Sequence, residues 1–207
     1  MKKFSLMFSL LTIIIVLFCY PSLPEIIPMH WNFAGEIDGY GNKLYILFLS
    51  LLPLGMYGLM SLTKKIDPNS KSFDSNNRGY MFIRDVTTGI MGIIVLVSLV
   101  AGYNPHIDVT MIVQIVIGMM LMLIGNYMPT IPKNYFLGAR TPWALNDENN
   151  WKKTQRFSGY SFIVVGLCLL LSGLTRWKIL SILAFVLLFV SCFGIYFYSY
   201  YLFKKGK

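Results

Sequence analysis

The chain consists of long apolar runs separated by short polar segments. Six runs are close to the length of about 17–25 residues that crosses a bilayer. They cover residues 4–20, 44–62, 86–102, 110–127, 160–175 and 179–203. Only helices and closed barrels satisfy their backbone hydrogen bonds in lipid, and these runs are continuous rather than alternating. The pattern therefore predicts an all-α integral membrane protein with six transmembrane helices.

Composition supports this interpretation. Charged residues make up 13% of the 207 residues, compared with about a quarter in a soluble domain. The first twenty residues resemble a signal peptide, but no cleavage site of small residues follows, so we expect an uncleaved first span. The odd set of cysteines contains no C-x-x-C pair, which argues against a disulfide framework or a zinc site. These cysteines, all within apolar runs, are Cys19, Cys168 and Cys192.

The basic residues are distributed unevenly between the two sides of the membrane. Counted by connector, 15 of the 18 Lys and Arg residues fall on one side, and Lys43, Arg176 and Lys178 fall on the other. The positive-inside rule then places both termini in the cytoplasm. This asymmetry explains the net charge of +9 without direct binding of nucleic acid. The basic face could instead contact lipid headgroups or a protein partner.

We expect two membrane halves. Residues 1–127 would hold four spans and an extracellular motif loop at 21–43, and residues 128–207 would hold a cytoplasmic segment at 128–159 and two spans. Small residues on helical faces favour close helix packing. The glycines concerned are Gly55 and Gly58, Gly89 and Gly92, and Gly118 and Gly125.

The spans as drawn contain no Asp, Glu, Lys, Arg or His, and this disfavours a proton-driven transporter. Gln114 and Asn126 are their most polar residues and are expected to hydrogen-bond neighbouring helices. The sequence has no G-x-S-x-G, H-E-x-x-H or Walker loop, so we expect no enzyme. The two histidines and their acidic neighbours match no compact ligand motif, so neither a metal nor another cofactor is expected. These residues are His30, His106, Glu25, Glu36, Asp38 and Asp108.

The outer segment 21–43 mixes prolines, glycines and aromatic residues. Its three prolines prevent a helix, and the stretch DGYG at 38–41 predicts a turn. The stretch MHWNF at 29–33 alternates and predicts a short extended piece. Two interpretations remain open: an aromatic anchor at the membrane interface, or a recognition surface for something arriving from outside.

The inner segment 128–159 begins with two prolines that end the fourth span. An irregular piece is then expected at the inner interface. Asn146 is the predicted N-cap of a helix that begins near residue 147 and continues into the fifth span, with Asp147 and Glu148 in its first turn. No nucleophile–base pair is present, so the segment is predicted to be a surface or an anchor for the helices rather than a catalytic loop.

Two long motifs resemble those of the SdpI family of bacterial membrane proteins. The stretch NYFLGARTPWALNDENNWKKTQRFSG, residues 134–159, resembles the C-terminal signature of that family. The stretch LPEIIPMHWNFAGEIDGYGNK, residues 23–43, resembles the N-terminal motif that often accompanies it, L-P-x-x-I-P-x-H-x-N-x-x-G-x-x-D-x-Y-G-x-K. The motifs occur in the family's order and are separated by helical spans.

The resemblance implies a multi-pass protein of the bacterial plasma membrane that confers immunity. The best-understood family member protects its producer from a secreted cannibalism peptide. It also acts as a receptor that, with toxin present, sequesters an ArsR-type autorepressor at the membrane. The implied partners are therefore a peptide toxin outside, a repressor inside and the bilayer. An alternative is a transporter that exports a peptide or lipid, since spans without charges do not exclude passive export.

These expectations lead to two hypothetical binding surfaces. The outer one would contact the toxin through His30, Trp31, Asn32, Gly35 and Asp38. The inner one would form the signalling face through Asn134, Phe136, Gly138, Arg140, Thr141, Pro142, Trp143, Trp151 and Arg156.

Overall fold

A computed structural model describes residues 3–32, 35–69 and 78–206. Three basic residues of the charge count and two residues of the outer motif lie outside these ranges: Lys2, Lys71, Lys207, Phe33 and Ala34. Within the described part, seven α-helices and two strands follow one another along the chain. In chain order they are α1 (Phe4–Cys19), β1 (Ile26–Trp31), β2 (Ile37–Asn42), α2 (Leu44–Ile66), α3 (Arg78–Tyr103), α4 (Val109–Tyr127), α5 (Pro142–Asn146), α6 (Glu148–Thr175) and α7 (Lys178–Lys205).

Six helices are long and apolar enough to cross a membrane, and these are all of the described helices except the short α5. The prediction of an all-α membrane protein with six apolar spans is therefore confirmed. Several helices extend beyond their apolar runs, because a helix continues into the interface where its polar residues meet headgroups and water. Thus α3 begins at Arg78 rather than at Val86 and includes Arg84 and Asp85.

The tightest helix contact joins α4 to α6, which run antiparallel. A Cβ added at Gly118 would lie 2.7 Å from the Gly166 carbonyl oxygen, and one added at Gly125 would lie 2.6 Å from that of Gly159. Close packing is therefore confirmed for Gly118 and Gly125, and also for Gly92, which faces Phe8. The prediction of close packing is wrong for Gly55, Gly58 and Gly89, where an added Cβ would meet nothing within 4 Å.

Buried apolar side chains form two clusters. One lies near the predicted inner end of the bundle and consists of Met60, Tyr80, Ile83, Met128, Ile131, Ala144 and Trp151. The other joins α1, α2 and α3 to the base of β1 and consists of Val16, Leu23, Ile27, Ile46, Val95 and Leu99. Each cluster fixes one of the polar segments to the helices beneath it.

The outer segment folds as an antiparallel hairpin of β1 and β2, here called the outer hairpin (residues 26–42). The expected turn at DGYG is wrong, because these four residues lie inside β2. The chain reverses between Asn32 and Glu36 instead. The Asn32 side chain accepts a hydrogen bond from the Glu36 amide at 3.0 Å, and Gly35 has a φ of 86°, a conformation that favours glycine.

Candidate ligand-binding and partner-binding surfaces

All five residues of the hypothetical toxin surface lie on the outer hairpin or its turn. Nδ1 of His30 is 2.6 Å from Oδ1 of Asp38 on the facing strand, and both side chains are exposed. Asn32 and Gly35 build the turn itself, and Trp31 ends β1. Hence His30 and Asp38 present exposed side chains for contact, and Trp31 is half-buried. Asn32 and Gly35 shape the backbone that carries them.

A cavity of about 510 Å³ lies beside the hairpin turn, between the ends of α4, α6 and α7. We call it the outer cavity and define it by Asp108, Gln114, Ser172, Arg176, Lys178 and Ser181. Gly35 also borders it, and this connects the cavity to the outer hairpin. Sequence reasoning missed this site, although Arg176 and Lys178 were two of the three basic residues placed outside.

The polar groups of the outer cavity are linked to one another. An Nη atom of Arg176 lies 3.4 Å from Oδ2 of Asp108, while Oδ1 of Asp108 accepts a hydrogen bond from the Met111 amide and caps α4. Deeper in the cavity, the Gln114 amide donates to the Ser181 hydroxyl at 3.2 Å. The expectation that Gln114 bonds a neighbouring helix is therefore confirmed.

A charged pair lies within α3, close to its predicted cytoplasmic end. Two guanidinium nitrogens of Arg84 donate to Oδ1 of Asp85 at 2.8 and 3.0 Å, and the Ser5 hydroxyl of α1 donates to the same oxygen at 2.7 Å. The Arg84 guanidinium also lies over the Tyr57 ring of α2, 4.8 Å from its centroid. This pair ties three helices together, and such partners are what a charge near the membrane needs.

The inner signature segment (residues 134–159) is held together by its own side chains. Asn134 is fully buried, and its side-chain nitrogen donates to the carbonyls of Pro132 and Leu137, both at 2.9 Å. Its side-chain oxygen accepts from the amides of Phe136 and Leu137. One side chain thus replaces the hydrogen bonds that a helix or sheet would provide for this loop.

A second buried amide holds the next part of the loop. Gln155 of α6 accepts a hydrogen bond from the Ala139 amide at 3.1 Å and donates to the Ala139 carbonyl at 3.0 Å. Gly138 precedes this point with a φ of 97°, and a Cβ there would lie 2.5 Å from the Gln155 side-chain oxygen. The glycine is therefore needed both for its conformation and for the close approach of α6.

A polar network joins the start of α6 to α7. Asn150 donates to the Ser199 backbone carbonyl at 2.9 Å and accepts from the hydroxyls of Ser199 and Thr154 at 2.8 and 2.9 Å. The helix begins at Glu148 with Asp147 as its N-cap, one residue after the predicted cap Asn146. The reason is the short helix α5, which ends at Asn146 and is capped by Thr141.

The nine residues of the hypothetical signalling face differ in their exposure to solvent. Asn134, Thr141 and Trp151 are buried, and the Trp151 indole donates to the Ile131 carbonyl at 2.9 Å. Trp143 is half-buried against aromatic rings of α7. The residues left exposed, or half-exposed in the case of Gly138, are Phe136, Gly138, Arg140, Pro142 and Arg156.

A larger cavity of about 850 Å³ lies beneath the exposed part of the signature segment. Its mostly apolar walls come from five of the long helices and the loop. The lining residues include Met60, Tyr80, Phe136, Arg140, Phe162 and Tyr196. Arg140 also donates to the Tyr135 carbonyl at 2.7 Å, and this contact fixes the guanidinium close to the loop backbone.

Comparison with known proteins agrees with the motifs. The model of the SdpI/YfhL protein family matches residues 130–199, which include the whole signature segment. The resemblance to the SdpI family is confirmed. The SdpI-family match thus spans α5, all of α6 and most of α7. A second family model, a domain of unknown function named DUF1648, matches residues 7–54 and so contains the outer hairpin.

A full-length relative agrees with the SdpI-family match. The chain is 28% identical to the immunity protein SdpI of Bacillus subtilis (strain 168) over 202 residues, which are 95% of this chain and 91% of the relative. No solved structure matches the chain. With six candidate spans and this relative, the chain is a multi-pass protein of the bacterial cell membrane.

Proposed function

We propose that this chain is an immunity protein, which protects the producing cell by binding a secreted peptide toxin at its outer face. The observation that carries the proposal is similarity to an immunity protein along 95% of the chain, because this includes both polar segments as well as the apolar spans. The outer hairpin supports it because the exposed side chains of His30 and Asp38 lie together there, next to the half-buried Trp31 in sequence. Protection by binding requires no chemistry at the site, and the protein is proposed to act without a cofactor.

A receptor role is the finer part of the proposal. A ligand that binds outside changes the affinity for a partner inside only if it favours one arrangement of the helices. Helix α6 runs from the signature segment, at Gln155, to the outer cavity, at Ser172. We propose that an ArsR-type repressor is held at the exposed part of the signature segment, which comprises Phe136, Gly138, Arg140, Pro142 and Arg156.

Immunity is tested by expressing the chain in a toxin-sensitive strain that lacks the locus and then adding the secreted peptide. We expect survival with the wild type and reduced survival with alanine at His30 or Trp31, because both side chains lie on the hairpin surface. Asn32→Ala should act through the turn and reduce survival as well. Lys152→Gln, on the opposite side, is the matched control. Full protection by all three hairpin variants would show that the hairpin does not contact the toxin.

The same cells distinguish binding from export, the alternative function. A binding protein retains labelled peptide on the cells, whereas an exporter lowers the amount that the cells hold. A cell-associated amount that rises with expression of the chain would support binding. A fall below the level of cells without the chain would favour the transporter.

Repressor recruitment is tested with a fluorescent ArsR-type repressor encoded with the chain. Arg140→Gln should abolish its toxin-dependent movement to the membrane while survival persists, because the substitution lies on the inner face. Lys204→Gln provides a control with the same charge change on the same face. Normal recruitment by Arg140→Gln at wild-type protein levels would remove Arg140 from the signalling face.

A further inference from the structure

We propose that the outer cavity binds a carboxylate group of the incoming peptide. This inference rests on the proposed immunity function and deepens it, because it names the place where part of the toxin is held. Neither polar motif of the sequence contains the residues that define the cavity. Their side chains come from the ends of three different helices.

Charge favours an anion. Arg176 and Lys178 line the cavity together with a single carboxylate, that of Asp108. The separation of 3.4 Å between Arg176 and Asp108 is long for a charge-assisted hydrogen bond, and the Arg176 side chain is 71% exposed. The guanidinium can therefore exchange this contact for a bidentate one with an incoming carboxylate, a geometry to which arginine is suited.

The backbone at Arg176 supports a role for its side chain. This residue ends α6 in the left-handed conformation, with φ at 59°. It is the one non-glycine residue in the described part of the chain with a positive φ. Glycine and asparagine adopt that conformation most readily, so the backbone alone does not explain an arginine there. Its side chain contributes positive charge to the cavity and pairs with Asp108, and both favour an arginine at this position.

The remaining surface suits a peptide better than a small inorganic ion. The volume of about 510 Å³ falls within the range of about 300–1,000 Å³ typical of ligand sites. Met111 and Ile182 line it with apolar groups, and Gln114 and Ser181 lie among them. A carboxylate could meet the cations while neighbouring side chains cover the apolar wall. Gly35 at the rim places this cavity directly beside the proposed toxin surface.

The test uses the full chain in nanodiscs of phosphatidylcholine and a defined probe, the N-acetylated tripeptide Leu-Ile-Phe with a free carboxyl terminus. The C-terminal amide of the same tripeptide is the control. Calorimetric titration should show binding of the acid and an affinity for the amide that is lower by about tenfold or more, since hydrogen bonds between charged groups contribute about 1.5–3 kcal/mol. Equal affinities for acid and amide would overturn the proposal.

Two substitutions should change the affinity in opposite directions. Arg176→Gly removes the cation and suits the left-handed backbone, so the loss of affinity should come without loss of folding. Asp108→Asn keeps a side chain able to cap α4, removes the competing negative charge and should strengthen binding of the acid. Lys152→Gln, whose exposed side chain lies on the opposite side, should change nothing. The reverse order of affinities would indicate a cation site and overturn the proposal.

Two further results separate this inference from its alternatives. If anionic phosphatidylglycerol in the nanodisc abolishes binding of the acid at constant ionic strength, the cavity holds a lipid headgroup and the proposal is wrong. If the wild type and Arg176→Gly protect cells equally well, the cavity is not where the toxin is held, although the immunity function stands. If the wild type gives no protection, the proposed immunity function is wrong. The proposal that the outer cavity binds a toxin is then wrong as well.

Discussion

At the scale of the residue, the signature segment depends on buried amides rather than on exposed recognition groups. Asn134 makes four hydrogen bonds to backbone groups of the loop while fully buried. A buried polar group left without a partner costs about 1–3 kcal/mol, so such a residue tolerates little change. Much of this motif therefore holds the loop in place, and its buried residues are not accessible to a binding partner.

Asn134→Asp should be strongly destabilising although it changes a single group of the side chain. The variant keeps its acceptor bonds but loses both donors and places a carboxylate beside the carbonyls of Pro132 and Leu137. We expect a loss of about 1–3 kcal/mol or more, seen as a lower midpoint of thermal unfolding in detergent. Asn149→Asp, exposed in the first turn of α6, should leave the midpoint unchanged. Equal midpoints for both variants would contradict the role assigned to Asn134.

At the scale of the element, the antiparallel contact of α4 and α6 depends on glycines seven residues apart. Gly118 and Gly125 face Gly166 and Gly159, and a spacing of seven residues returns to nearly the same face of a helix. Since lipid provides no hydrophobic force between helices, close backbone contact is a main source of association. Helix α6 runs from the signature segment to the outer cavity, so this contact lies between the two.

Gly166→Ala should weaken this contact. Its Cβ would lie 2.6 Å from the Gly118 carbonyl oxygen, and this backbone atom moves only if the helices separate. We expect a lower unfolding midpoint. The matched variant Gly89→Ala has nothing within 4 Å of the new Cβ, and alanine favours helix by about 1 kcal/mol over glycine, so stability should hold or rise. A larger loss at Gly89 than at Gly166 would refute the role of the glycine contact.

At the scale of the whole molecule, the two polar segments belong to opposite ends of the helices. The outer hairpin precedes α2, and the signature segment follows α4. The positive-inside rule predicts that the hairpin lies outside and the signature segment inside. The communication proposed for the receptor role would then require α4, α6 or α7 to move, because these helices join the outer cavity to the signature segment.

Cysteine labelling tests this orientation. In a chain whose native cysteines are replaced by serine, His30→Cys should react with a membrane-impermeant maleimide added to intact cells. Lys204→Cys should react only after the membrane is opened. Both positions lie in exposed parts of the chain, so reactivity reports the side of the membrane. The opposite labelling would invert the topology and exchange the two proposed surfaces.

The sequence by itself determined the membrane class, the six spans and the location of the two polar segments. These follow from hydropathy and proline positions, which are local properties of the chain. It also predicted the helix running from near residue 147, because a capping residue followed by acidic residues is a local signal. The cap itself is Asp147 rather than the predicted Asn146. Orientation, inferred from the placement of basic residues, remains a prediction.

Only the tertiary structure decided which side chains face one another. DGYG carries a turn signal but lies in β2, because Asn32 and Gly35 make the reversal and glycines leave room for residues on the facing strand. Gly55 and Gly118 look alike in sequence, yet only Gly118 meets another helix. The outer cavity combines residues from three helices and the hairpin turn. Such proximity depends on how helices pack, and periodicity along one segment does not encode it.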